Sequence, residues 1–307
     1  MSWFVEFVKH IGASAGYICL DIPQCIMKDS IAHLTPEQQD DVRKITSIIQ
    51  EVVNPEMILL FGFYAGKRNE FLKYILNERG SATHDFEFLV ITKDNTEKSF
   101  VQECQILSKA NHLVKSINLE IHDIDFVNKG LISGEAFWVD IILDAVLLWD
   151  NKTVILVPPR IITAEAKREK ATRYFNTLLP KAEHFLHISK YSADIPSLKI
   201  ATFQLHQAAE SLYYAILLVC SGYKPKTHNL WKLRKKAKPY SSELFGVFKV
   251  ENDKQDEHLF ELLKQGYVDA RYREDFKISE TELAMLIQKV TKMVPMVQDI
   301  CRKQIAL

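Results

Sequence analysis

No C-x-x-C pair occurs in this 307-residue sequence, and its five cysteines (Cys19, Cys25, Cys104, Cys220, Cys301) are scattered and odd in number. That argues against a zinc knuckle or a dithiol redox motif and for reduced thiols in a reducing compartment. No run approaches the ~20 apolar residues that span a bilayer, and the N-terminus lacks a basic stretch followed by a clean apolar core. A cytoplasmic protein with no membrane partner is therefore expected. Glycine and proline are scarce at ten each, which excludes collagenous and low-complexity classes, and no internal repeat is visible. What remains is ordinary globular composition over a length of about two domains.

Charge is present in equal amounts of both signs, 39 of each, but is unevenly placed. Residues 1–160 carry 15 basic against 22 acidic side chains, and residues 161–307 carry 24 against 17. An acidic half followed by a basic half suggests domains that attract each other, or a basic C-terminal domain that meets an anion.

The first half alternates between helix and strand patterns. Thr35 before Pro36 is a helix start, and Val42, Ile45, Ile48, Ile49 and Val52 then form one apolar stripe that Asn54-Pro55 ends. MILLF (57–61) and FEFLVIT (86–92) read as strands. INLEIH (117–122) alternates, with Ile117, Leu119 and Ile121 on one face and Asn118, Glu120 and His122 on the other. A helix over 97–116 separates the second and third strands, and AVLLWD (145–150) and VILV (154–157) follow as short strands. Val157-Pro158-Pro159-Arg160 reads as a linker. Beyond it the spacing predicts four long helices over 165–191, 198–222, 256–275 and 279–305, with short connections that imply an antiparallel bundle. The fold class expected is α+β: a small mixed sheet with flanking helices, then an all-α bundle. The boundaries are an N-terminal extension over 1–35, a first domain over 36–157 and a second over 161–307.

Chemistry concentrates in residues 59–92. A strand delivers Gly62 to a turn, where the backbone can approach a phosphate closely. A second strand opens with Asp85-Phe86-Glu87, whose carboxylates share a face with Cα atoms about 7 Å apart. Two carboxylates that close favour a divalent cation between them, and magnesium suits oxygen ligands and a triphosphate. Phe61-Gly62-Phe63-Tyr64-Ala65 and Asp85-Phe86-Glu87-Phe88-Leu89-Val90 resemble the active-site motif of the minimal nucleotidyltransferases of the DNA-polymerase-beta superfamily. That motif is an apolar strand, Gly-Ser, a spacer, then Asp-x-Asp on a second strand. The resemblance implies transfer of a nucleoside monophosphate from a nucleoside triphosphate to an acceptor, using magnesium or manganese ions held by three carboxylates. Here these would be Asp85, Glu87 and Glu120. The acceptor is open among a small molecule, a protein and RNA. Phe63 replaces the motif's serine and Glu87 its second aspartate, both departures that weigh against turnover. Lys67 and Arg68 stand where they can supply part of the lost phosphate contact.

In the second half, Ala201-Thr202-Phe203-Gln204-Leu205-His206-Gln207-Ala208-Ala209-Glu210, Gly222 to Leu230, and Ala270-Arg271-Tyr272 resemble a HEPN domain, a helical nucleotide-binding module. Fusion of a minimal nucleotidyltransferase to such a bundle is similar in layout to kanamycin nucleotidyltransferase, and bundles of this kind commonly pair as homodimers. His206 and Glu210 stand one helical turn apart, and Arg271 can turn toward them. Together they would suit a ribose and a phosphate, or else Arg271 pairs with Glu210 to fix helix registry. Where a HEPN ribonuclease places a histidine after its arginine, this sequence has Phe276, Lys277 and Ile278, so ribonuclease activity is not expected. Residues 224–240 hold seven Lys and Arg around Trp231 and no acidic residue. They read as a solvated loop and helix start, or as a stacking surface for RNA.

Two functions compete. One is metal-dependent nucleotidyl transfer at Asp85, Glu87 and Glu120, with Gly62, Phe63, Lys67, Arg68, His206, Glu210 and Arg271 holding nucleotide. The other is a catalytically degenerate nucleotide-binding or regulatory protein acting through its helical bundle.

Overall fold

The structure is a computed structural model that describes residues 27–65, 86–94, 98–113, 117–193 and 198–307. The chain divides into two compact units, with the boundary between Ile162 and Thr163.

In the first unit, helix α1 (Pro36–Val53) starts on a reciprocal cap. Gln38 N–H donates to Thr35 Oγ1, and Thr35 N–H donates back to Gln38 Oε1. It ends at Asn54 in the left-handed conformation. Strand β1 (Met57–Phe61) follows, then a 3₁₀ turn (Gly62–Tyr64), β2 (Phe86–Thr92), α2 (Ser99–Ala110), β3 (Ile117–Asp123), α3 (Ile124–Ile132), α4 (Ala136–Asp144) and β4 (Val146–Asp150). The four strands run in the order β3-β2-β1-β4. β1 is antiparallel to both its neighbours, whereas β2 and β3 are parallel, joined by α2 as a crossover. One face buries Ile58, Leu60, Phe86, Phe88, Val90 and Leu119 against Val42, Ile45 and Ile49 of α1 and Ile106 of α2.

The opposite face is covered as well. The polar side of β3 is buried, with Glu120 and His122 only 5 % and 7 % exposed. Helices α3 and α4 cover it, for His122 stacks on Phe126 and meets the edge of Trp138, and Phe61 packs on Phe137. The run 154–157 is not a strand. Its backbone bonds go to one side chain: Asn128 donates to the Ile155 carbonyl and accepts from Val157 N–H. Residues 27–35, read in sequence as an extension, join this unit through a bridge from Lys28 to Val146 and through buried Leu34.

The second unit contains α5 (Ala164–Ala193), α6 (Leu198–Ser221), α7 (Leu230–Ala237), α8 (Ser242–Phe245), α9 (Lys254–Gln265), α10 (Asp269–Tyr272) and α11 (Glu280–Ala306). Helix α6 is buried on nearly every side, which marks it as the central helix of the unit. Buried positions of α5, α7, α9 and α11 surround it. The helix expected over 256–275 is broken. At Gly266 an added Cβ would lie 2.9 Å from the carbonyl oxygens of both Leu263 and Thr202, so the chain turns where it meets the backbone of α6. No helix among the described residues is long and apolar enough to cross a membrane.

Helix α11 opens on a second reciprocal cap. Glu282 accepts from Ser279 N–H and Oγ and lies 2.7 Å from His258 Nε2. The Ser279 hydroxyl and N–H, with His258, bring the Glu282 carboxyl down to about 2 from its ordinary 4.5. A lowered folded-state value means stabilisation that is complete above about pH 4.5 and lost as pH falls toward 2. Glu282→Gln is expected to cost about 1 kcal/mol at neutral pH and to flatten the acid limb of a urea-denaturation series over that window. An unchanged acid limb would refute the assignment.

Candidate functional site

Strand β1 delivers Gly62 in the left-handed region (φ +73°), directly beyond the pairing of Phe61 with Glu87. A Cβ on Gly62 would fall 1.6 Å from Glu87 Oε2. The left-handed φ favours glycine here, and any larger residue would also displace the Glu87 carboxylate. Phe63 stands edge-on to Tyr64, and Tyr64 stacks on Phe86 at 4.3 Å, so the turn is held by aromatic contacts.

The parallel register then decides which β3 residue neighbours Glu87. It is Asn118, whose Nδ2 donates to Glu87 Oε1 at 3.3 Å. Glu120 lies one pleat further along, opposite Leu89, and bonds His122 Nε2 at 2.9 Å. Among the described residues no three His, Cys, Asp or Glu side chains gather as a metal site. Asp85, Lys67 and Arg68 lie outside the described residues.

The second cluster lies in the helical unit, where α6 carries a buried polar row through an apolar helix. His206 is 1 % and Glu210 6 % exposed. The loop from Ser221 to Asn229 folds back along α6, with the Tyr214 hydroxyl donating to the Thr227 carbonyl and Lys224 lying 4.7 Å above the Tyr214 ring. It continues to His228, whose Nδ1 donates to Glu210 Oε1 at 2.7 Å. Asn229 then caps α7 through Trp231 N–H. Burial alone would raise the Glu210 carboxyl, but His206 and His228 outweigh it and hold the group below its ordinary value. Tyr267 completes the cluster: the His228 ring stacks on it at 4.4 Å and the His206 ring at 5.3 Å.

Arg271 joins through the same tyrosine and forms no pair with Glu210. Its Nε donates to the Tyr267 carbonyl, and its guanidinium lies 4.7–4.8 Å from the rings of Phe203, Tyr267 and Tyr272. The structure thus gathers His206, Glu210 and Arg271 around Tyr267. Sequence reasoning missed His228, the actual partner of Glu210. His228 lay within the stretch Gly222 to Leu230 that carried the resemblance, but was not singled out there.

In the basic stretch 224–240, Lys224, Lys226, Lys235 and Lys238 are exposed, but the remaining members are not all solvated. Arg234 is 1 % exposed and bonded to Glu251 and to two backbone carbonyls, while Trp231 packs against the helical core.

Residues 175–300 match the HEPN domain family model, and the match lies within the helical unit. No curated protein matches the chain.

Proposed function

We propose that the protein binds a nucleotide through its helical unit, with Glu210, His228, Tyr267 and Arg271 as the recognition set. In this reading the first unit keeps a nucleotidyltransferase framework no longer arranged for transfer. The observation that carries it is the Tyr267-centred cluster. A buried carboxylate accepts hydrogen bonds, a half-exposed imidazole both donates and accepts, and Arg271 offers a guanidinium with no ion pair among the described residues. Tyr272, 72 % exposed beside Arg271, provides an aromatic face for a base. The HEPN match over these helices supports the same reading.

Nucleoside triphosphate is expected to raise the melting temperature with metal chelated. Arg271→Ala should abolish the shift, while Asp85→Ala and Glu87→Ala leave it intact. A shift that needs magnesium and disappears in Asp85→Ala would overturn the proposal.

A second reading, nucleotidyl transfer to an acceptor with magnesium or manganese at Asp85, Glu87 and Glu120, is favoured by one observation. The left-handed Gly62 turn lies hard against Glu87, as a nucleotide-binding turn beside a ligating carboxylate would. Phe63 at the turn and the Asn118 amide beside Glu87 weigh against it. Metal-dependent release of pyrophosphate, lost in Glu87→Ala, would establish it in place of the first.

A further inference from the structure

Helices α5 and α11, 30 and 27 residues long, pack side by side, and a groove of about 600 Å³ lies between them. None of its lining belongs to the Tyr267 cluster. Leu186 and Val294 give it an apolar floor, buried and half-buried, and Pro295 an exposed apolar wall. Glu183, His184, His187 and Lys190 line it from α5 and are all exposed. Pro295 carries no N–H, so the Thr291 carbonyl one turn earlier has no helical donor, and both residues line the groove. Glu183, His184 and His187 do not gather as a metal site.

Charge around the groove is one-sided. Lys181 stands one turn before His184 and Lys292 one turn before Pro295, and with Lys190 all three are exposed. Lys181 lies 5.7 Å from the Phe185 ring centre, and no carboxylate among the described residues pairs with any of the three. Lys264, Lys289 and Lys303 of the same unit each bond a carboxylate instead. Glu183 is the single carboxylate of the lining. Two long helices side by side leave a furrow that a third helix fills at the usual interaxial distance of about 8–10 Å. Covering this floor takes apolar side chains at spacings of three and four, and the three cations call for carboxylates beside them.

We propose that the groove between α5 and α11 docks an acidic amphipathic helix of a partner protein. Its apolar stripe lies on Leu186, Val294 and Pro295, and its carboxylates face Lys181, Lys190 and Lys292. Tyr191, one turn beyond His187 and 67 % exposed, extends the apolar contact. This surface is separate from the nucleotide-binding reading and does not rest on it.

The test is fluorescence anisotropy on the full chain with a dye-labelled synthetic peptide of about four helical turns. The peptide carries Leu at alternating spacings of three and four and Glu at the remaining positions, and a counterpart replaces every Glu by Lys. Saturable binding of the Glu peptide in the micromolar range is expected, and none of the Lys peptide. Combining Lys190→Glu with Lys292→Glu should weaken binding about tenfold. Both side chains are exposed and unpaired, so the melting temperature should hold. Arg271→Ala should bind the peptide as the parent does, which keeps failure of this proposal distinct from failure of the nucleotide reading. Equal binding of the two peptides, no binding of the Glu peptide, or a double variant that binds like the parent would overturn the proposal. Self-association of the chain that the double variant alters, read by sedimentation, would place a second copy in the groove and overturn it as well.

Discussion

Arg234→Ala is expected to cost about 3–5 kcal/mol of unfolding free energy, the largest loss from any single polar side chain in the helical unit. The guanidinium is buried, and all three of its nitrogens donate. Nη1 and Nη2 each bond one Glu251 oxygen at 3.0 Å, Nη2 reaches the Phe248 carbonyl at 2.6 Å, and Nε and Nη2 bond the Phe245 carbonyl. Its plane lies 3.6 Å from the Phe245 ring centre, and Trp231 and Phe260 lie within reach. Truncation leaves two backbone carbonyls without their donor, and those carbonyls connect α8 to the start of α9. Lysine cannot restore a planar fork, so Arg234→Lys should recover only part of the loss. Glu251, nearly half exposed, keeps access to water, and Glu251→Gln should cost no more than about 1 kcal/mol. Urea denaturation of the three variants checks the order. An Arg234→Ala protein within 1 kcal/mol of the parent would contradict it.

Trp138→Ala should be comparably damaging in the first unit, at about 3–5 kcal/mol. The indole is fully buried at the junction of α3, α4 and β3, edge-on to His122, Phe126 and Phe137. Gly130 makes room for it: a Cβ there would come 2.1 Å from Trp138 Cδ1. Gly130→Ala therefore reverses the usual sign. Replacing a helical glycine normally gains up to about 1 kcal/mol, but overpacking a rigid ring costs about 1–3 kcal/mol, and net destabilisation is expected. Combining Gly130→Ala with Trp138→Leu should lose less than the sum of the two, read from a double-mutant cycle. Additive losses would show that the two side chains do not share that space.

Local chemistry was legible in the sequence where it is sufficient by itself. Thr35-Pro36 with the stripe from Val42 to Val52 gave α1, and the apolar runs gave β1, β2 and β4. What was hidden depends on contacts between segments distant in the chain. The break at Gly266 is decided by the Thr202 backbone, and the irregular path of 154–157 by the Asn128 side chain. Glu120 was placed on the polar face of β3, and its burial there was not legible, because alternation reports which face a residue is on, not what covers that face. The pairing of Glu210 with His228 required knowing that the loop after α6 turns back rather than outward. Arg234, embedded in a run of lysines, carried no local mark of burial.

The placement of β1 in the sheet has a consequence for how the chain acquires its structure. This strand, MILLF, is buried along its whole length and lies between β2 and β4, so its second edge stays unpaired until Asp150 has been synthesised. The sheet thus closes only through a pairing remote in sequence, whereas the helical unit is dominated by α5 against its chain neighbour α6. Long-range pairing is slow and leaves an apolar edge open to other chains in the interval. Refolding from urea should therefore lose yield with rising protein concentration through the first unit, and a solubilising charge would act best outside β1, on the half-exposed β4.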